Sequence, residues 1–177
     1  MEEPVAQDRL VGFIREASSG VFQTMLGLEL KPLADYTEID PAPTNAGILS
    51  LVGFAGLWAG TGAFICSVKM ACRIADALFL SEHDSVEEEV LDAVGEMTNM
   101  ILGNVKTELE EILGPMALSI PTVLYGRDFI KRNQGKHEWT VVPFDFEGER
   151  IEVQVCLSRN QQNEHGRHAA KPHLAGV

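Results

Sequence analysis

Residues 46–68 read AGILSLVGFAGLWAGTGAFICSV, 23 positions without a single charge. A helix of that length reaches across the hydrocarbon core of a bilayer, so the reading of this run decides the fold. Five glycines interrupt it. Each costs an interior helix roughly 1 kcal/mol relative to alanine. The run also divides into ILSLVGF and AFICSV around a glycine-rich middle, the pattern of two buried strands rather than one membrane helix.

The flanking sequence supports the strand reading. Upstream, Leu10, Val11, Ile14, Val21, Phe22, Met25 and Leu26 recur at near-helical spacing, with Gly20 as an interruption and Gly27 as a C-cap. LELKPLADYTEI then alternates like a strand, and Pro32 marks it as an edge. PAPTNAG is a connector rich in turn formers. Downstream, Met70, Ile74, Ala77 and Leu78 share one face of a short helix. After SEHDS, residues 85–114 form the longest periodic segment, with Ser85 as the expected N-cap and Glu87, Glu88 and Glu89 at the positive end of the helix dipole. Gly114-Pro115 closes it. MALSIPTVLYG, EWTVVPFDF and ERIEVQVCLS follow as strands. RNQQNEHGRHAAKPHLAGV has little to bury and is expected to be a disordered tail.

The two halves echo each other. Leu26-Gly27 and Leu113-Gly114 each precede a strand, and Phe54-Ala55-Gly56 and Phe146-Glu147-Gly148 precede the strands holding Cys66 and Cys156. The expected fold is therefore α+β: a central, mostly antiparallel sheet built from two pseudo-repeated halves, with long helices packed on one face. Residues 1–158 form one domain and 159–177 the tail.

Composition narrows the function classes. The chain has 177 residues, 45% hydrophobic and 23% charged, enough for one domain with a full core. Its net charge of -12 opposes phosphate backbones and anionic headgroups, so neither nucleic acid nor a membrane is an expected partner. Three cysteines without C-x-x-C spacing, two of them inside apolar runs, fit buried reduced thiols in a cytoplasmic protein. The acidic start MEEPVAQDRL does not resemble a signal peptide. His165, His168 and His173 are spaced irregularly in the tail and make no recognisable metal site.

Residues 92–104, DAVGEMTNMILGN, carry the chemistry. At about 100° per residue, Asp92, Glu96, Asn99 and Gly103 fall along one line. Val90, Val94, Met97, Ile101, Val105 and Ile112 cluster on the opposite side, as a core face. The polar line is therefore expected to face solvent. Glu96 is placed to pair with a cation on a docking protein, and Asn99 offers a donor and an acceptor from one amide. Gly103 leaves room for a close approach, and Asp92 adds negative charge that favours a basic partner patch. On spacing alone, E-x-x-N is common in exposed helices.

The wider pattern is more specific. D-x-x-x-E-x-x-N on a helix, here Asp92, Glu96 and Asn99, followed by Pro121 in a strand, resembles the CheC/CheX/FliY family of chemotaxis phosphatases. VFQTMLGLEL, GFAGLWAGTGAFICSVKMACRIADALF and DAVGEMTNMILGNVKTEL look like its CheX branch. The resemblance covers residues 8–158. It implies hydrolysis of the aspartyl phosphate of a CheY-like response regulator, with Asn99 orienting the attacking water and Glu96 pairing with the regulator's lysine. Asp92, Gly103 and Lys106 would contact the partner. No cofactor is expected on this chain, since Mg²⁺ belongs to the regulator. Some relatives carry the motif in both halves. Aligning Pro32 with Pro121 puts Gln7 and Leu10 where a second pair would stand, so one site is expected. The resemblance also implies a homodimer, joined through sheet edges. A catalytically idle regulator-binding module and an unrelated dimerisation domain remain alternatives.

Overall fold

The computed structural model describes residues 5–39, 47–127 and 138–160. Helix α1 (Gln7–Val21) runs into a single π turn, Phe22–Leu26, and stops at Gly27, whose φ of 66° a side chain would resist. Two short strands follow, β1 (Lys31–Pro32) and β2 (Tyr36–Glu38). The chain then forms β3 (Gly47–Gly56), β4 (Trp58–Cys66), α2 (Val68–Phe79) and α3 (Glu88–Leu113). It ends with β5 (Met116–Leu118), β6 (Thr122–Gly126), β7 (Trp139–Phe146) and β8 (Glu149–Arg159).

The eight strands make one antiparallel sheet in the order β1-β7-β8-β4-β3-β5, with β2 also on β7 and β6 also on β3. The order is symmetric about the β8–β4 pair. Each half is a helix, a broken edge strand and a hairpin, and each edge strand pairs with the hairpin of the other half. The expected two-halved α+β sheet is thus the observed one. The β7–β8 hairpin turns on Glu147 and Gly148, both at positive φ, as a two-residue turn matching the strand twist requires.

Residues 47–66 of the 23-residue uncharged run form β3, β4 and the turn between them, and Ser67 and Val68 open α2. The run lacks alternation because these central strands bury both faces. Ile48, Val52, Phe54 and Phe64 join the core beneath the helices, while Leu49, Ala63 and Ile65 join Trp139, Val141 and Cys156 on the other face. The glycines have packing reasons. A β-carbon on Gly60 would collide with the carbonyl oxygen of Cys156, and one on Gly62 would lie 2.6 Å from Leu102 Cδ1 of α3. Among the described residues no helix is long and apolar enough to cross a membrane.

The helices share one face of the sheet, where Phe22, Phe64 and Phe144 are fully buried beside Ile14, Met70 and Met97. Each such side chain contributes about 1.5–3 kcal/mol by leaving water. α3 packs against both α1 and α2.

Five details differ from expectation. MALSIPTVLYG is two strands, β5 and β6, and Pro121 lies between them rather than in a strand. LELKPLADYTEI is two strands rather than one, broken where Arg15 of α1 donates to the Leu33 carbonyl (3.2 Å) and to Asp35 (2.7 Å). α3 begins at Glu88 with Glu87 as N-cap and no side-chain cap, so Ser85 lies outside the helix. Ile112 is 37% exposed, and Leu109 and Leu113 take the core positions of that last turn. β8 runs to Arg159, and Asn160 N–H donates to the Leu57 carbonyl, while most of the expected tail lies outside the described residues.

Candidate active site

α3 carries the Glu96–Asn99 line because its other side is anchored throughout. Val94, Met97, Thr98, Ile101, Leu102 and Val105 are all 0% exposed. The one hydroxyl among them is satisfied, Thr98 Oγ1 donating to the Val94 carbonyl at 2.7 Å. Asp92, Glu96 and Asn99 are exposed. The helix is fixed by its core face and so presents these side chains on a rigid base.

Glycine shapes the approach on both sides of the pair. Gly95 is buried, and a β-carbon there would lie 3.3 Å from Val123 Cγ2 and 3.9 Å from Pro121 Cβ. The start of β6 therefore crosses α3 beside Glu96, and Pro121 belongs to the same site as the helix motif. Gly103 is half-buried, and a β-carbon on it would meet nothing within 4 Å, so a visiting surface could come close there.

Lys106 is engaged within the chain. Its Nζ lies 2.7 Å from Glu110, whose carboxylate also accepts from Met116 N–H at 2.8 Å. Lys106 and then that amide hold the Glu110 carboxyl below the usual range. This pair ties the end of α3 to β5, a structural task for a residue expected to meet a partner.

The first half offers no equivalent pair, though the alignment that Pro32 suggested needs correction. Buried Leu10, Val11, Ile14 and Ser18 of α1 and Phe22 of the π turn after it match Met97, Thr98, Ile101, Val105 and Leu109 of α3 at a constant offset of 87 residues. Gly27 and Gly114 keep the same offset. Glu96 and Asn99 thus correspond to Arg9 and Gly12. Gln7 instead accepts from Thr140 Oγ1 of β7 at 2.9 Å, and Leu10 is core.

Sequence reading missed Gly95. A glycine in a helix interior, between Val94 and Glu96, was the available signal, because such a residue needs a packing reason. Among the described residues no group of three or more His, Cys, Asp or Glu side chains could hold a metal ion.

The family model for the chemotaxis phosphatase CheX matches residues 48–145, more than half of the chain. The chain belongs to the CheX family. A CheY-P phosphatase CheX from Thermotoga maritima is 28% identical over 120 residues, covering 67% of this chain and 74% of that protein. The crystal structure of chemotaxis protein CheX from Vibrio vulnificus is 24% identical, with 85% of this chain and 99% of that one covered, at a TM-score of 0.76. A chain in the crystal structure of a CheX–CheY–BeF3–Mg²⁺ complex from Borrelia burgdorferi is also 24% identical, covering 85% and 98%, at a TM-score of 0.72. These structural likenesses establish the CheX fold.

Proposed function

We propose that this CheX-family chain removes the phosphoryl group from the aspartate of a CheY-like response regulator in the cytoplasm. The observation that carries the reading is the exposed Glu96–Asn99 pair on a buried-backed helix, with Pro121 seated against Gly95 beside it.

An acyl phosphate is already activated, so its loose transition state needs a positioned water more than a strong base. In this reading the Asn99 carboxamide holds a water in line with the phosphorus. The water oxygen forms the new P–O bond, the bond to the aspartyl oxygen breaks, and inorganic phosphate and a free carboxylate leave. The regulator supplies its own Mg²⁺ and a lysine, and Glu96 pairs with that lysine to fix the docking geometry. Asp92 extends the negative field toward a basic partner surface. A homodimer joined edge to edge through the sheet completes the proposal, and sedimentation tests that part.

Phosphate loss from an acetyl-phosphate-charged regulator, with and without the protein, tests the activity. Faster loss with the wild type, retained binding but no acceleration with Asn99→Ala, and loss of both with Glu96→Ala are expected. Binding without acceleration by the wild type would leave a docking module in place of a phosphatase.

A further inference from the structure

Between β5 and β6 the sheet edge carries a bulge. Leu118 pairs with Phe54 and Thr122 with Leu51, so Ser119, Ile120 and Pro121 oppose only Val52 and Gly53. A bulge of this kind re-aims the side chains of the strand that carries it and is common beside active sites. Here it is pinned. Ser119 N–H donates to the Gly53 carbonyl (2.9 Å), and Ser119 Oγ accepts from Gly53 N–H (2.8 Å) and donates to the Ile120 carbonyl (3.0 Å). The result is an isoleucine 87% exposed, on the residue next to the proline that seats against α3 at Gly95.

Exposing a large aliphatic side chain gains a folded chain nothing, and three hydrogen bonds hold this one outward. We propose that Ile120 is a partner-contact and positioning residue: it packs against an apolar surface that the receiver domain presents beside its phosphorylated aspartate. The inference rests on the reading of the Glu96–Asn99 line as the docking face, and continuity with that face selects the occupant. Pro121 couples the two, since its backbone continues the bulge and its ring lies against the residue preceding Glu96. The carboxylate would supply charge recognition, the isoleucine the apolar contact that excludes water from it. Ile120 touches no reacting atom in this scheme, so its loss should weaken docking and leave the chemical step alone.

The test measures affinity for the BeF3-charged CheY-like regulator, and KM and kcat with the phosphorylated one, for wild type, Ile120→Ser and Ile120→Leu. We expect Kd and KM to rise about tenfold in Ile120→Ser with kcat within twofold, and Ile120→Leu to restore most of the affinity. An unchanged Kd and KM in a wild-type background that turns over phosphate would overturn the role of Ile120 alone. A shift of Ile120→Ser from dimer to monomer with unchanged regulator affinity would also overturn it, placing a second copy of the chain on the isoleucine. A wild type that neither binds nor dephosphorylates the regulator would instead bring down the docking reading and this inference together.

Discussion

Helices α1 and α3 occupy equivalent places in the two halves, and five buried positions, Leu10, Val11, Ile14, Ser18 and Phe22 against Met97, Thr98, Ile101, Val105 and Leu109, agree at the 87-residue offset. Their exposed sides do not. α3 shows solvent Glu96 and Asn99, with half-buried Gly103 next on that line, whereas α1 shows Arg9, whose guanidinium lies 5.5 Å from the Phe13 ring centroid, then Gly12 and Glu16. An arginine there would repel the lysine that a carboxylate on α3 is proposed to attract, and a glycine cannot orient water. The core side of a helix is held by close packing on the sheet, and a methylene more or less is felt there. The outer side is free to differ. One duplicated platform thus carries one proposed site.

The comparison can be broken most sharply at the amide. Asn99→Ala is expected to lower the accelerated rate of regulator dephosphorylation by on the order of 100-fold, the scale for losing one preorganised hydrogen-bonding group. Arg9→Gln on α1 should leave that rate within twofold in the same assay. Equal losses from both would mean that the halves act together. Next in size, Glu96→Gln should raise KM about tenfold, an effect that shrinks as salt screens the wild-type attraction. A salt-independent KM for the wild type would remove the charge pairing.

A smaller effect concerns how each helix meets the sheet. α1 meets β7 through the Thr140–Gln7 hydrogen bond, while α3 presses Leu102 onto the bare backbone of Gly62. Gly62→Ala should cost about 1–3 kcal/mol by overpacking, read from the denaturant midpoint. No loss of stability would mean that the Leu102 side chain can swing away freely.

The smallest expected change lies in the α2–α3 connection. The buried His83 ring bridges Glu89 (2.9 Å) and Asp76 (2.8 Å), and those hydrogen bonds, with Glu89 the stronger influence, raise its pKa above the ordinary histidine value of about 6.5. The folded state therefore holds the proton more tightly than the unfolded one. The stabilisation is complete below pH about 6.5 and is lost as pH rises through the raised value. Chemical denaturation across pH 6–9 should show this decline in the wild type, and His83→Gln should flatten it.

Much of this was legible from residues alone, for identifiable reasons. The α3 polar line could be read because a 26-residue helix with a one-sided apolar face leaves little choice of orientation. The 23-residue apolar run could be split into strands because its glycines are poor helix residues. What could not be read depended on contacts distant in sequence. The bulge at Ile120 exists through pairing of β5 and β6 with β3, some 65 residues earlier in the chain. Lys106 is a local exception: it faces outward by helical angle, and Glu110 four residues on in the same helix pairs with it. The pairing of Pro32 with Pro121 failed because similar residues at two edges need not occupy the same register, and burial supplied the correct offset.

The central claim is that a phosphorylated receiver docks on α3 and meets Asn99 and Glu96 first. A crystal structure of this chain with the BeF3- and Mg²⁺-charged regulator tests it most directly. The Asn99 carboxamide is expected within hydrogen-bond reach of a water in line with the beryllium, with Glu96 on the regulator's lysine. A complex that docks through α1 or a sheet edge and leaves Asn99 facing bulk solvent would contradict it.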